Sequence, residues 1–179
     1  LVDKTTEEKN EFEQHSAPKR PKELKCKIHH ANIKNETWTL LIGMLDEMPY
    51  EIFGGLSRYV VIPKKYDEGF LIKNVKKASI STYDLKLGDD DFLIKNVVEQ
   101  FDNPNYSVMT RMISLALRHG APLQYVVEQL QKGDRDSDMF SFAKVISRVL
   151  KSYIVDGAST TLIKKCESCG GSSFAYQEN

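Results

Sequence analysis

The first half of the chain alternates short apolar runs with turn residues, a pattern typical of β-strands. The run LKCKIHHANI at 24–33 fits a first strand. ETWTLLIGML and PYEIFGGL are apolar, β-branched or aromatic runs separated by the polar DEM, which predicts a hairpin. RYVVIP, ending at Pro63, and GFLIKNV are read as further strands. In ISTYDLKL the residues Tyr83, Leu85 and Leu87 alternate with polar neighbours, as in a half-buried strand.

One six-residue string, FLIKNV, occurs at 70–75 and again at 92–97. The first copy follows Gly69 and is predicted to be a strand. The second copy follows the aspartates at 89–91, which favour a helix start. Apolar residues then recur at helical spacing, so the second copy is predicted to be helical: Ile94, Val97, Val98 and Phe101.

The second half repeats its apolar residues every three to four positions. NPNYSVMTRMISLALRHG starts with a capping Asn103 and Pro104 and ends at Gly120. APLQYVVEQLQKG and MFSFAKVISRVLKSYIVDG carry similar apolar stripes, and Gly157 ends the latter. Strands followed by helices predict an α+β fold. We expect a small, mainly antiparallel sheet in the N-terminal half, covered by three to four amphipathic helices of the C-terminal half.

Composition divides the chain into three parts. Residues 1–22 are polar and include Pro18 and Pro21 among charges, which predicts a flexible linker or leader. Residues 23–157 are predicted to form one α+β accessory domain. Residues 158–179 form a tail that contains a Cys-x-x-Cys pair and is predicted to be truncated. Since the first residue is Leu1, we expect a piece of a longer polypeptide.

The charge balance and the number of cysteines limit the binding partners and the cellular compartment that we expect for this chain. The 25 basic and 25 acidic residues balance, which argues against a nucleic-acid or membrane partner held by bulk electrostatics. Three cysteines signal no disulfide framework and suit a reducing cytoplasm, bacterial or that of a phage host. No apolar run approaches the ~20 residues of a membrane span, and the charged start does not look like a signal peptide.

The main chemical candidates are Cys166 and Cys169. The pair fits one knuckle of a zinc ribbon, with Gly170 and Gly171 allowing the tight turn, but a ribbon needs a second pair. It fits equally a mobile dithiol that exchanges with a disulfide and is reduced again by a thioredoxin-like protein. The cysteine spacing alone leaves both interpretations open.

A second set of candidates lies in the first predicted strand. Cys26 and either His29 or His30 could complete a four-ligand zinc site with Cys166 and Cys169. On a strand, however, Cys26 and His29 point to opposite faces, while Cys26 and His30 lie roughly 13 Å apart. We expect Cys26 to be a small core residue. His119, at a predicted helix end, suits a contact with the helix dipole. Phosphate-binding glycine loops and common hydrolase motifs are absent from the sequence.

Several motifs in order carry a family resemblance. KRPKELKCKIHH, WTLLIGMLDEMPYEIFGG, RMISLALRHGAP, VVEQLQK, FSFAKVISRVLKSYI and the closing CESCGG with YQE resemble the C-terminal region of ribonucleotide reductase large subunits. The similarity is to the adenosylcobalamin-dependent (class II) enzymes and their phage relatives. It runs from about residue 19 to the end of the chain.

The resemblance implies a place in deoxyribonucleotide synthesis for DNA replication. In that family this region follows the catalytic barrel, and tail cysteines shuttle electrons from thioredoxin or glutaredoxin to the active-site disulfide. Cys166 and Cys169 match that role, although Glu167 stands where the family often has Pro and the second cysteine pair is missing. Adenosylcobalamin would bind only the catalytic part, so this chain is expected to be inactive alone and to partner the barrel.

Two other functions remain open from the sequence. One is a stand-alone, non-catalytic interaction or regulatory module, phage-encoded and derived from the reductase domain. The weaker alternative is a zinc-ribbon-type binding module, against which the neutral net charge counts.

Overall fold

A computed structural model describes residues 16–75, 81–88, 92–132 and 138–155, with the side chains of 138–140 left aside. It confirms the α+β prediction: one six-stranded antiparallel sheet is followed by four helices. The strand order is β3-β2-β1-β4-β5-β6. The strands are β1 Glu23–Ile33, β2 Glu36–Leu45, β3 Met48–Leu56, β4 Glu68–Val75, β5 Ser81–Leu87 and β6 Phe92–Ile94. The helices are α1 Val97–Gln100, α2 Pro104–Arg118, α3 Leu123–Leu130 and α4 Asp138–Lys151.

The three longest strands form two tight hairpins. Lys34 and Asn35 have positive φ between β1 and β2, and Asp46 and Glu47 have positive φ between β2 and β3. Two-residue turns of this kind match the right-handed twist of a hairpin. The second turn is where the polar DEM predicted one. β1 also pairs with β4 through Cys26↔Gly69, which places β1 inside the sheet.

One face of the sheet packs against the helices α2, α3 and α4. Because side chains alternate along a strand, Trp38, Leu40 and Ile42 of β2 all point to this face. They meet the apolar stripe of α4, and the Trp38 and Phe142 rings stack 5.4 Å apart. This first core confirms the predicted stripe, whose described members are Phe142, Val145, Ile146, Val149, Leu150 and Tyr153.

The opposite face forms a second core. Cys26 and Ile28 of β1, with Leu41 and Phe53 of the hairpin, are buried there. It is closed by α1, by the segment between β3 and β4, and by strands β4 and β5. The remaining buried members are Val60, Ile62, Leu71, Leu85, Leu87, Val97 and Phe101. The sheet is thus buried on both faces, which explains why β2 reads as a continuous apolar run.

Two element predictions were wrong. The second FLIKNV copy begins as β6, where Ile94 pairs with Leu85, and only α1 is helical after it. Asn96 adopts a left-handed backbone (φ 50°) and donates its N–H to Asp84, which separates strand from helix. RYVVIP is not a strand either. Val60 and Ile62 are buried in the second core, so their burial rather than strand pairing explains the apolar residues.

Helix α2 runs along the outer edge of the sheet. Its N-cap Asn103 accepts hydrogen bonds from the N–H groups of Asn105 and Tyr106, as the sequence predicted. Ser114 Oγ accepts from the N–H of Ile52 at 2.9 Å and lies 3.3 Å from that residue's carbonyl oxygen. The helix thereby covers an edge strand that would otherwise expose unpaired backbone groups. No helix in the described ranges is long and apolar enough to cross a membrane.

Candidate functional site

The tail cysteines Cys166 and Cys169 lie outside the described residues. Cys26 is placed in the second core and is fully buried. Burial raises the pKa of the Cys26 thiol far above its usual range, with a smaller contribution from Glu51. Because the thiolate is the reactive and metal-binding form, this cysteine is suited to packing rather than to chemistry.

The two histidines of β1 point to opposite faces. His29 lies on the first-core side, where its Nε2 and the Tyr153 hydroxyl are hydrogen bonded at 2.6 Å. His30 lies on the same side as Cys26 and makes a 3.3 Å contact from Nδ1 to Thr39 Oγ1. Burial lowers the pKa of both histidines. It also raises the pKa of Tyr153 to about 12.

The structure does not bring Cys26, His29 and His30 together. Cys26 pairs across the sheet with Gly43, while His29 pairs with Leu40 and the two side chains lie in different environments. Within the described part of the chain, no group of three or more His, Cys, Asp or Glu side chains is placed to hold a metal ion.

A chemically unusual residue is Glu51, in the middle of β3, which with Glu128 of α3 is one of two fully buried glutamates among the described residues. Its side chain is fully buried on the second-core face. Glu51 stands opposite Gly43 in the hairpin register, and a Cβ added at Gly43 would lie 2.6 Å from the Glu51 Cγ. The glycine therefore makes the space that the glutamate occupies. A buried carboxylate needs a charged partner, because desolvation alone would be costly.

Arg20 is the main partner of Glu51. Its Nε donates to both carboxylate oxygens at 3.0 and 2.9 Å, and its Nη2 donates to Oε1 at 2.6 Å. The Arg20 side chain is only 7% exposed and also donates to the carbonyl of Leu71 at 3.1 Å. Residues 1–22 stay predicted as a linker, but Arg20 at its end is held in the domain.

Arg118, in the last turn of α2, is the second partner. Its Nη2 donates to Glu51 Oε2 at 3.1 Å, and its side chain is 28% exposed. The guanidinium also lies 5.3 Å from the Tyr50 ring centroid, while Arg20 lies 5.4 Å from that of Tyr83. Two arginines and one carboxylate, here called the Glu51 cluster, thus tie the entry segment and α2 to the sheet.

A cleft of about 720 Å³ opens beside the Glu51 cluster. It lies between α2, the start of β5 and the region of α1. Arg118 and Tyr83 form part of its wall, and burial raises the pKa of the Tyr83 hydroxyl, with a further contribution from Glu51. Polar side chains from α2 line much of the rest.

The segments that enter and leave the domain border the same corner. Ser16 and Pro18 lie against a groove formed with Met48, Leu117 and Gly120. Ile154 and Val155, just after α4, lie against an adjoining groove that shares those three residues. The Tyr50 hydroxyl donates to the carbonyl of Pro18 at 2.7 Å, which fixes the entry segment there. Both ends of the described domain therefore line grooves at the start of β3.

Comparison with protein families supports the resemblance seen in the sequence. Residues 24–155 match the model of the NrdJ homologue C-terminal domain. The chain belongs to this family. The match spans the sheet and all four helices, from β1 to the end of the described residues. The family assignment supports a ribonucleotide reductase-associated domain, while class II character and phage origin stay predictions. No curated protein and no solved structure shows a significant match.

Sequence reasoning missed the Glu51 cluster. The available signal was a glutamate inside the apolar run PYEIFGG, facing a glycine across a predicted hairpin. The two arginines are distant in sequence and carry no local pattern that would assign them to the same carboxylate. In this chain, the Glu51 cluster and the shared corner are the features on which we base the functional proposal.

Proposed function

We propose that this domain supports ribonucleotide reduction by holding the base of a redox-active tail near the catalytic part of a reductase large chain. The tail dithiol would be Cys166 and Cys169, and thioredoxin or glutaredoxin would reduce it. The observation that supports this proposal is the shared corner of the domain. The entry segment at Pro18 and the exit segment at Val155 border the same three residues.

The shared corner has a mechanical consequence. A domain that precedes β1 and a tail that follows α4 would leave from one place, so the tail would start close to that preceding domain. Anchoring raises the effective concentration of the dithiol at the catalytic disulfide compared with a free dithiol. The hydrogen bonds from Arg20 to Glu51 hold the entry segment against the domain.

The chemistry of the tail step is thiol–disulfide exchange. One tail thiolate attacks the catalytic disulfide and forms a mixed disulfide, and the second tail thiol then displaces it. The catalytic pair leaves as a dithiol, and the tail becomes a disulfide. Thioredoxin supplies the two electrons and two protons that restore the tail.

The test uses the large chain with its catalytic part. Cys166→Ser and Cys169→Ser should slow multiple turnover driven by thioredoxin and spare a single turnover. The matched control is Cys26→Ala, which removes a buried thiol and should leave both measurements unchanged. Multiple turnover at the unsubstituted rate in both serine variants would show that the tail dithiol is not the shuttle.

A second candidate function is a non-catalytic interaction module. The outer face of α2 exposes an apolar row at helical spacing, with Val108 57%, Met112 59% and Leu115 48% exposed. On this account the chain binds the reductase catalytic part equally well when both tail cysteines are serine. Met112→Lys should weaken that association at least tenfold, whereas Val75→Lys, at an exposed site at the end of β4, should not.

A further inference from the structure

One face of α2 presents polar side chains to the cleft beside the Glu51 cluster. Ser107, Arg111, Ser114 and Arg118 follow one another at i, i+4, i+7 and i+11, and all four line the cleft. Thr82 and Tyr83 come from β5. This wall of the cleft therefore carries two guanidinium groups beside Ser107, while the Ser114 hydroxyl is already bonded to the backbone of Thr110 and Ile52.

Arg118 has donor capacity left over at the cleft. Its Nη2 donates to Glu51 and its guanidinium also interacts with the Tyr83 hydroxyl, while its Nε is buried and has no hydrogen-bond partner among the described residues. A buried donor without an acceptor costs on the order of the full desolvation penalty, so an acceptor is expected to complete it.

Arg111 adds a second positive charge to the same wall. Its side chain is exposed, and no described residue is placed to form an ion pair with it. Arg111 and Arg118 are seven residues apart, about 10 Å along the helix axis. The single negative charge of Glu51 neutralises only one of the two positive charges of Arg20 and Arg118. This end of the cleft is therefore cationic.

The other end of the cleft carries the opposite charge. Glu99 and Asp102 line it where α1 leads into α2. Asp102 precedes the N-cap Asn103, at the opposite end of α2 from Arg118, and the helix between them is about 21 Å long. Phe53, Val98 and Pro104 provide the apolar part of the wall, with Val98 and Pro104 next to the acidic end in sequence. The acidic end disfavours a ligand that is anionic along its whole length.

We propose that this cleft binds a small molecule with a single anionic end, a phosphate or a carboxylate, between Arg111 and Arg118. The body of the ligand is neutral or weakly cationic, packs on Phe53 and Val98, and extends toward Glu99 and Asp102. A volume of about 720 Å³ suits a small molecule. Guanidinium groups with neighbouring hydroxyls are effective donors to either anion. Because the charge changes sign along the cleft, a ligand that is anionic along its whole length, such as a nucleic acid, is disfavoured.

The test follows the arginine Nε–H signals by NMR during titration. The probes are phenyl phosphate and benzoate, which have an anionic end and an apolar body, and neutral benzyl alcohol. We expect saturable shifts of the Arg118 and Arg111 signals with at least one anion, and none with benzyl alcohol. Which anion binds more tightly distinguishes a phosphate ligand from a carboxylate ligand.

The variants make the assignment specific. Arg111→Gln, at an exposed position, should weaken anion binding at least tenfold without changing the denaturation midpoint. Arg148→Gln, on the exposed face of α4, is the matched control and should bind as the unsubstituted chain does. Absence of saturable shifts with both anions, equal binding of benzyl alcohol, or full affinity in Arg111→Gln would each overturn the proposal.

Discussion

The two faces of the sheet are buried by different means. On the helix-covered face, aromatic and aliphatic side chains such as Trp38, Phe142 and Ile146 fill the core. On the other face, the apolar core adjoins a fully buried glutamate with two arginines. Burial and packing of apolar side chains dominate the stability of the first core. The second core depends in part on the ion pairs of the Glu51 cluster.

This difference predicts different responses to small chemical changes. An apolar core loses stability in proportion to the volume removed, because the neighbours relax in part. Removal of one partner of a buried ion pair costs much more stability, because the remaining partners stay charged and desolvated. The Glu51 cluster also joins three separate parts of the chain: the entry segment, β3 and α2.

The largest effect is expected from Glu51→Gln. The substitution keeps the volume and removes the charge that Arg20 and Arg118 share. We expect the free energy of unfolding to fall by about 3–5 kcal/mol, since buried positive charge is left without its partner. Urea denaturation followed by circular dichroism measures the change.

The control for this prediction is Glu68→Gln. Glu68 lies 2.8 Å from Lys27 in an ion pair whose side chains are 52% and 37% exposed. Solvent screening makes such a pair weak, so stability should be essentially unchanged. Equal stability losses for the two glutamine variants would contradict a special role for the buried cluster.

A smaller loss is expected at the sheet edge, where Ser114 of α2 binds the backbone of Ile52. Ser114→Ala leaves the Ile52 N–H buried without an acceptor, which should cost about 1–3 kcal/mol. Hydrogen exchange of the Ile52 amide, compared with that of amides in β1, locates the effect. The matched variant Ser152→Ala, near the end of α4, removes a hydroxyl from an exposed residue and should cost less. The same loss in both variants would argue against the edge role.

A conservative change on the apolar face should cost less again. Ile146→Val removes one methylene from a fully buried side chain of the first core, and we expect a loss of about 0.5–1.5 kcal/mol. Chemical denaturation with an unchanged m value would attribute the loss to packing alone. A loss as large as that of Glu51→Gln would remove the distinction between the two faces.

Periodicity made the helix-covered face predictable. The apolar stripe of α4, the Asn103 cap of α2 and the DEM turn are local signals, and all three are present in the structure. The strands-then-helices order gave the α+β class for the same reason. The second FLIKNV copy was misassigned because the decisive partner, Leu85, lies in another strand.

The candidate site was less accessible to sequence reasoning. Glu51, Arg20 and Arg118 are brought together by tertiary contacts across 31 and 67 residues. No local pattern distinguishes these arginines from solvent-exposed ones. The cleft depends on the packing of α2 beside β5, which periodicity does not specify. The tail cysteines were found by their spacing, and their role stays a prediction.

The smallest predicted effect comes from His29, which contacts Tyr153 on the apolar face. Burial lowers the pKa of His29, helped by the positive charges of His30 and Lys27. In the unfolded chain its pKa is about 6.5, so the unfolded state takes up a proton first as the pH falls. Stability should therefore decline from about pH 7 until the lower pKa of the folded state is passed.

His29→Gln should flatten this decline, measured as denaturation midpoints between pH 7 and 5. Because the pKa of His30 is also lowered, part of the decline in stability should remain in the His29→Gln variant. Identical slopes for His29→Gln and the unsubstituted chain would mean that the burial of His29 does not disfavour its protonation.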